Sequence, residues 1–220
     1  MSCFVLSVPS AIALGSVEET RQSLREFSCA KNPAIEHFAR NNAVDFSLQG
    51  ISVTHLVYRK EDDPTLLGFF TLAYKILRLG GGSLSRAGER RIAKFAEHDA
   101  ATNTYTLPAP LIAQIGKNDL PPDAAPFAGR ELVALAEDRL RAVMREVGGR
   151  AAYLECEEEP ALMAFYESLG YVRAASRYDK SNAEGSDRLY HICVKFLRGA
   201  GGGERGGGTP LSEVQYSSRT

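Results

Sequence analysis

The feature that most constrains the fold is a long amphipathic helix enclosed by two apolar strands. RELVALAEDRLRAVMREV, residues 130–147, carries apolar residues at helical spacing, and the two glycines directly after it end the helix. LPAPLIAQIG (residues 107–116) before it and AAYLECE (residues 151–157) after it are predicted to be strands. A strand, a helix and a second strand in this order favour two parallel, adjacent strands in one sheet. The chain is therefore predicted to belong to the mixed α/β class.

A hairpin is predicted upstream of this unit. ISVTHLVYR (residues 51–59) alternates apolar and polar residues and is rich in β-branched side chains, which is typical of a strand. TLLGFFTLAYKIL (residues 65–77) is almost continuously apolar, and the EDDP turn between the two runs favours an antiparallel pair. The second strand is expected to be buried on both faces. Two final strands are predicted, YVRAASRYD (residues 171–179) and RLYHICVKFL (residues 188–197), on either side of the polar link KSNAEGSD.

Helices are predicted on both sides of the hairpin. The N-terminal part favours one helix over residues 17–27 and another over residues 32–46, the latter with Asn32 as its N-cap and Pro33 in its first position. SLSRAGERRIAKFAEHD, after the hairpin, also favours a helix. The strands and helices together predict a sheet of about six to seven strands flanked by helices.

One domain with a tail is expected. Residues 1–197 form the domain, residues 78–106 are a variable insertion in it, and the Gly-rich residues 198–220 are predicted to be a flexible tail. The first residues, MSCFVLSVPSAIALG, lack a basic start and contain Pro9, so a signal peptide is not expected. No run approaches the about 20 apolar residues of a membrane span, so no membrane contact is expected. The unpaired cysteines, read as reduced, predict a cytoplasmic protein.

The net charge and the spacing of the cysteines and histidines bear on nucleic-acid binding and on metal binding. The net charge of −1 gives no general attraction to nucleic acid. One basic cluster, Arg86, Arg90, Arg91 and Lys94, either contacts an acidic partner or is a solvated helix face. The four cysteines and four histidines show no ligand spacing, so no metal is expected and the cysteines are predicted to be reduced.

A candidate anion site lies in the loop KNDLPPDAAPFAG. This loop joins the carboxyl end of a strand to the N-terminus of the long helix, where free N–H groups and the helix dipole favour a negative charge. Lys117 and Arg130 can add positive charge at its two ends. A phosphate-bearing ligand is therefore expected, although neither GxGxxG nor GxxxxGK is present.

Several segments, taken in order, resemble the GNAT superfamily of N-acetyltransferases. They span residues 27–197, and the most specific is ALMAFYESLGY, which is similar to the FYxxxGF signature of the family. The others are FSCAKNPAIEHFARNNA, ISVTHLVY, LLGFFTLAYKIL, APLIAQIGKND and FAGRELVALAEDRL. The first of these and LIAQIG also resemble the GNAT toxins of bacterial toxin–antitoxin modules.

The resemblance implies where acetyl-CoA binds. It would lie between splayed fourth and fifth strands, residues 107–116 and 151–157, with no metal cofactor. The pantetheine arm would pair with the backbone of Ile115, Gly116 and Lys117. The pyrophosphate would contact the N–H groups of Phe127, Ala128, Gly129 and Arg130. Only the last glycine of the family's Gln/Arg-x-x-Gly-x-Gly/Ala loop is present, and three prolines in this loop have no N–H to donate.

The resemblance also implies catalytic roles. Tyr166 would protonate the departing thiolate as the general acid, and Phe165 beside it would pack and is grouped with the cofactor-binding residues. Leu162, Phe165, Tyr166 and Leu169 share the apolar stripe of one helix, so plain packing is the alternative for Tyr166. Glu155 is the candidate general base, with a solvated strand end as its alternative.

The predicted function is transfer of acetyl from acetyl-CoA to a primary amine by direct attack. Two alternatives stay open: a toxin-type enzyme that acetylates aminoacyl-tRNA, and a non-catalytic module that binds CoA. The expected partners are acetyl-CoA and an amine acceptor, with nucleic acid only in the tRNA-directed case. A homodimer and an antitoxin partner are left open.

Overall fold

The computed structural model describes residues 2–119, 127–179 and 188–197. Within these ranges the chain forms eight strands and seven helices. Their bounds are β1 Cys3–Ser7, α1 Val8–Leu14, α2 Val17–Arg25, α3 Pro33–Asn41, α4 Ala43–Leu48, β2 Val53–Arg59, β3 Leu66–Gly80, α5 Arg86–Ile92, β4 Glu97–Asp99, β5 Thr104–Lys117, α6 Gly129–Val147, β6 Ala151–Glu157, α7 Pro160–Ser168, β7 Val172–Asp179 and β8 Arg188–Phe196.

All eight strands belong to one sheet. Seven follow the order β1-β2-β3-β5-β6-β8-β7, and the short β4 pairs with β5 near its start. β2 and β3 form the predicted antiparallel hairpin, and β5 and β6 form the predicted parallel pair on either side of α6 in sequence. The mixed α/β prediction is confirmed, with β1 and β4 as strands that the sequence patterns did not indicate.

A bulge opens the sheet between β5 and β6. Thr71 of β3 lies opposite Gln114 and Leu72 lies opposite Ile112, so Ala113 is an extra residue in β5. A bulge bends its strand and increases the local twist. The pairing of β5 with β6 correspondingly ends at Ile112 and Leu154, although both strands continue. This is the predicted splay between the fourth and fifth strands of the resemblance.

Helices cover both faces of the sheet. α6 and α7 pack on one face around Leu132, Leu140 and Tyr166. The helices before β2 pack on the other face around Leu24 and Phe69, and α5 joins that face further along β3 and β5. The splay therefore has helices on both sides, and each side presents different residues to it.

Three predicted elements differ in the structure. β3 is buried throughout only from Leu66 to Thr71, and in its second half Leu77 and Leu79 are buried on the α5 side while the other residues are exposed or half-buried. The helix predicted over residues 32–46 is two helices separated at Asn42. The insertion predicted at residues 78–106 consists of the ends of β3 and β5 with α5 and β4 between them.

Other sequence signals agree with the structure or lie outside it. The Asn32 side chain caps α3 by accepting from the N–H of Ile35 at 3.2 Å, and Pro33 begins the helix. The predicted tail, residues 198–220, lies outside the described residues. No helix in the described part of the chain has both the length and the hydropathy to cross a membrane.

Candidate active site

The last residues of β5 border the open side of the splay. Ile115, Gly116 and Lys117 pair on one side with Phe70, Phe69 and Gly68 of β3. On the other side, toward β6, the described chain supplies no strand after Ile112. An unpaired strand edge can hydrogen-bond an extended ligand in the manner of an added strand. The three residues predicted to hold a pantetheine arm thus lie where such an edge is available.

Gly116 allows the helical layer to approach β5 closely. A Cβ atom at this position would lie 2.5 Å from Cγ2 of Ile35 and 3.1 Å from Cζ of Phe27. The first distance is shorter than real Cβ atoms show and the second is tight, so glycine here lets α3 pack directly against the strand. Its side-chain position faces away from the α6 face, and only its backbone is available to the splay.

The end of β5 is tied to the loop between α2 and α3. The side chain of Asn118 accepts a hydrogen bond from the N–H of Ser28 at 2.9 Å and donates to the carbonyl of Leu66 at 3.0 Å. The carboxylate of Asp119 accepts from the N–H of Ala30 at 2.8 Å. These bonds fix the backbone where β5 leaves the sheet. Sequence reasoning missed Asn118 and Asp119, because their partners lie about 90 residues away.

The N-terminus of α6 supplies the predicted anion-binding groups. Gly129 and Arg130 occupy the first two positions of the helix, where N–H groups have no acceptor within a helix. The side chain of Phe127 is buried in the core beside α6 and anchors the preceding backbone. Residues 120–126, the rest of the predicted loop, lie outside the described residues.

A carboxylate already contacts one of these donors. The N–H of Ala128 donates to Oε2 of Glu131 at 2.7 Å, which stabilises the first turn of α6. An anion at this N–H would have to displace Glu131, so the structure makes Ala128 a weaker candidate than Gly129 or Arg130. The signal for Glu131 is in the sequence: an acidic residue three positions after the N-cap.

Phe165 connects α7 to the start of α6. A Cβ atom on Gly129 would lie 3.4 Å from Cζ of Phe165, so the ring sits directly against the glycine backbone. The same ring lies 5.2 Å from that of Tyr166, edge to face. Phe165 therefore has the predicted packing role, and it does so at the helix end where an anion is expected.

Tyr166 lies in the core between α7 and the sheet. It is 6 % exposed, and its ring centre is 5.8 Å from that of Tyr171. Burial raises the pKa of the Tyr166 phenol above its ordinary value, and the neighbouring thiols of Cys156 and Cys193 raise it further. The phenol is therefore protonated throughout the neutral range. The structure thus places Tyr166 in a packed environment at the same end of the sheet as the α6 N-terminus.

Two of the four free cysteines lie beneath Tyr166. Sγ of Cys156 is 3.9 Å from Sγ of Cys193 and 3.3 Å from Sδ of Met163. The strands β6 and β8 bring these two thiols together, which their wide separation in sequence did not indicate. Among the described residues, no three His, Cys, Asp or Glu side chains cluster in a way that could hold a metal ion.

Glu155 lies on the opposite face of β6 from Tyr166. Cys156 and Leu154 face the α7 side with Tyr166, so by strand alternation Glu155 faces the other side, together with Tyr153. Its carboxylate accepts from Nε of Arg177 at 2.8 Å and also from the terminal nitrogen of that guanidinium. The predicted acid and base therefore do not share a face. One lies on each side of the splay.

Comparison with known proteins identifies this architecture. No protein-family model matches the sequence, and no curated protein sequence does either. Solved structures match most of the fold. The toxin AtaT complexed with acetyl-methionyl-tRNAfMet gives a TM-score of 0.59 at 14% identity, covering 86% of this chain and 95% of that chain. A tyrosine-to-phenylalanine variant of KacT gives 0.58 at 15%, covering 87% and 95%. AtaTR bound with AcCoA gives 0.52 at 15%, covering 86% and 92%.

These matches define the fold class. AtaT and KacT are GNAT-fold acetyltransferase toxins of toxin–antitoxin modules, and this chain has their fold. The resemblance inferred from the strand order and from FYESLGY is thereby confirmed at the level of the fold. At 14–15% identity the likeness reaches no further, because one fold supports many functions.

Proposed function

We propose that the protein is an acetyl-CoA-dependent N-acetyltransferase whose acceptor is the amino group of an aminoacyl-tRNA. The observation that carries the acetyltransferase part is the splay between β5 and β6, with a free strand edge and a helix N-terminus beside it and Tyr166 close by. The acceptor is suggested by a structural neighbour, AtaT, whose solved complex contains acetyl-methionyl-tRNAfMet. We therefore favour aminoacyl-tRNA over a small amine or a peptide amine as the acceptor.

The chain's backbone would hold the acetyl donor, which supplies an activated thioester. The free edge of β5 at Ile115, Gly116 and Lys117 would pair with the amide groups of the pantetheine arm. The N–H groups of Gly129 and Arg130 would contact the pyrophosphate, with Phe127, Ala128 and Phe165 shaping that end. Backbone N–H groups of β5 would also polarise the thioester carbonyl.

Tyr166 would act on the leaving group. Because its pKa is raised, the phenol keeps its proton at neutral pH and can donate a hydrogen bond as negative charge develops on the sulfur. A raised pKa also makes Tyr166 a weaker acid than an ordinary phenol. Its main contribution would therefore be stabilisation of the departing thiolate, and the proton would follow as the bond to the acetyl group breaks.

The acceptor amine would approach from the face on which Glu155 lies. An α-amino group has a pKa of about 7.7–8.0, so a useful fraction is neutral at physiological pH. Little is then required of a general base. Glu155 remains the candidate proton acceptor on that face, and its pairing with Arg177 favours a role in positioning the amine.

The proposal also covers the partners and the domain organisation of the protein. Solved structures related to AtaT include a complex with the C-terminus of the antitoxin AtaR, at a TM-score of 0.50. For this chain we propose an antitoxin partner, assembly as a homodimer and a single domain over residues 1–197. Light scattering of the purified chain, alone and with the product of the adjacent gene, measures the first two.

The proposal is tested with acetyl-CoA labelled in the acetyl group. The label is offered together with charged tRNAs, amino-acid amides, peptides and polyamines. We expect label on charged tRNA that mild alkali releases as an N-acetylamino acid. Label on a small amine or peptide alone would make the protein an acetyltransferase of another acceptor class. No label on any acceptor, combined with a thermal shift by CoA, would support the non-catalytic module that binds CoA.

A further inference from the structure

The insertion between β3 and β5 concentrates positive charge on a chain that is otherwise acidic. Residues 78–106 contain five lysines and arginines and three carboxylates, a net charge of +2, whereas the whole chain has a net charge of −1. The remainder is therefore net −3. The five cations are Arg78, Arg86, Arg90, Arg91 and Lys94.

α5 is firmly attached to one face of the sheet. Ser85 caps the helix by accepting from the N–H of Gly88 at 3.2 Å, and Ile92 is fully buried against Leu107 and Tyr153. The guanidinium of Arg91 lies 5.3 Å from the ring centre of Phe196 on β8. The helix therefore presents its charges from a fixed position.

That face is the one on which the acceptor would arrive. Tyr153, which packs with Ile92 of α5, and Glu155 lie on the same face of β6 because they are two residues apart in a strand. α6 and Tyr166 lie on the other face. α5 therefore lies on the acceptor face, opposite the side assigned to acetyl-CoA. It packs near the start of β5 and β6, and the splay opens further along these two strands.

Within the described residues, the cations of the insertion are not neutralised. Arg86, Arg90 and Lys94 are exposed, and none of the five cations forms an ion pair with a carboxylate in residues 2–119, 127–179 or 188–197. Glu89, the one carboxylate on α5, accepts from the N–H of Gly82. A solvated helix face, the alternative at the level of sequence, would ordinarily include carboxylates spaced to pair with its cations.

An open depression of about 280 Å³ lies between α5 and β5. Its lining residues are Arg86, Glu89, Arg90, Ala93 and Tyr105. The ring of Tyr105 stacks on that of His98, with 4.4 Å between ring centres. Guanidinium groups bind phosphate, and exposed aromatic rings stack on unpaired bases. An acidic polypeptide would use the charges but not the rings, so the depression favours a nucleic acid.

We propose that the α5 insertion is the docking surface for the phosphodiester backbone of the RNA that carries the acceptor amine. Arg86, Arg90 and Lys94 contact phosphates, and Tyr105 with His98 provides a stacking surface beside them. This inference rests on the proposed function, because RNA is chosen over DNA as the body of the acceptor. The net charge of −1 of the whole chain gives no sign of this local concentration of positive charge, although it argued against nucleic-acid binding at the level of sequence.

The test uses two triple variants that change net charge equally. The docking variant is Arg86→Gln/Arg90→Gln/Lys94→Gln, which leaves Arg91 over Phe196. The control is Lys60→Gln/Arg145→Gln/Arg173→Gln, three exposed cations on other surfaces. Both are compared with the unaltered chain by thermal melting to confirm folding. Binding of fluorescent uncharged tRNA, of duplex DNA of equal charge and of polyglutamate is then measured by anisotropy over a range of salt concentrations.

We expect the docking variant to bind tRNA at least tenfold more weakly than the control variant at 100 mM salt. Each phosphate contact contributes about 0.7–0.9 to the slope of log Kd against log salt, so losing three should lower the slope by about 2–3. The control variant should keep the slope of the unaltered chain. Equal tRNA binding by both variants would overturn the proposal, as would tighter binding of polyglutamate or of duplex DNA than of tRNA.

Acetylation separates this proposal from the proposed function. Where tRNA is acetylated, the docking variant should raise KM for charged tRNA and leave transfer to an aminoacyl amide without an RNA body unchanged. If both variants acetylate tRNA with the same KM, the docking proposal is refuted and the proposed acetyltransferase function stands. Loss of tRNA binding in the docking variant, without acetylation by any form of the chain, supports docking and refutes the activity.

Discussion

Arg177 on β7 reaches across β8 to hold the carboxylate of Glu155 on β6, with Nε 2.8 Å from Oε2. The same guanidinium lies 5.2 Å from the ring centre of Tyr190 on the intervening strand. Three strands at the open side of the splay are thus linked through one arginine. The pair lies on the acceptor face, so its removal tests whether Glu155 moves a proton or positions the amine.

Replacing Glu155 by Gln is expected to lower kcat/KM by about tenfold. The carboxylate already has Arg177 as its partner, and an α-amine needs little help to lose its proton. Arg177→Gln should produce a loss of similar size, since it disrupts the same pair. A loss of 10²–10⁴-fold confined to Glu155→Gln, with loss of one limb of the pH–rate profile, would instead show general base catalysis.

Removing the hydroxyl of Tyr166 is expected to lower kcat by about 10²–10⁴-fold, the usual contribution of a positioned proton donor. Tyr166→Phe keeps the ring that packs against Phe165 and Tyr171, so the stabilisation of the fold by acetyl-CoA in a thermal shift should be retained. Unchanged turnover would leave Tyr166 with packing alone. In the unaltered protein, burial has raised its pKa, so no limb of the pH–rate profile below pH about 10 should belong to it.

Tyr171→Phe is the matched control for that substitution. Its ring is edge to face with that of Tyr166, and its buried hydroxyl faces the carboxylate of Glu137. Removing this hydroxyl should change the stability of the fold by no more than about 1 kcal/mol. Turnover should stay within a factor of about three. A large loss of turnover here would mean that the effect of Tyr166→Phe reflects the packing of the aromatic pair.

Gly116→Ala is expected to destabilise the fold by about 1–3 kcal/mol, the usual cost of overpacking. The added methyl would lie 2.5 Å from Cγ2 of Ile35, and denaturant unfolding measures the loss. Ile35→Ala removes that atom, so the double variant should lose less than the sum of the two single variants. Additive losses would show that the contact is not what requires glycine.

The strands that carry the site were predictable because their signals are local. Residues 151–157 have the bounds of β6, and the hairpin strands differ from β2 and β3 by at most three residues at each end. β1 and α1 were not predicted, since Cys3–Ser7 is a short edge strand whose partner, Val53–Arg59, lies some fifty residues away. Edge pairing of this kind depends on the assembled sheet and leaves no periodic pattern in the segment itself.

The positions of the candidate site residues in the fold could be predicted from the sequence, but the contacts between their side chains could not. The resemblance implied that Tyr166, the end of β5 and the start of α6 share one site, and in the structure Tyr166, Ile115 and Phe127 belong to one core cluster. The pairing of Glu155 with Arg177 and the meeting of Cys156 with Cys193 depend on how β6, β8 and β7 pair. Those contacts require the register between distant strands, which a single sequence does not specify.

His55 is expected to make the fold less stable in mild acid. Burial lowers its pKa to about 4 from 6.5, and the charge of Arg139 on α6 acts in the same direction. The ring stacks on Phe70, and its Nδ1 has no partner in the described part of the chain. As pH falls from 6.5 to 4, the unfolded chain takes up a proton at His55 that the folded chain does not. Stability is therefore lost across this window, by on the order of 3 kcal/mol at its lower end.

His55→Phe keeps a ring against Phe70 and cannot titrate. Denaturant unfolding of both proteins between pH 7.5 and pH 4 should show the variant gaining stability relative to the unaltered chain as pH falls below 6.5, with the difference levelling near pH 4. The difference in the free energy of unfolding between the two proteins cancels the contribution of the carboxylates, because they titrate in both. His37→Gln, an exposed position on α3, serves as the control and should follow the unaltered chain. A stability difference between His55→Phe and the unaltered chain that is constant with pH would mean that His55 takes up its proton equally in the folded and unfolded states.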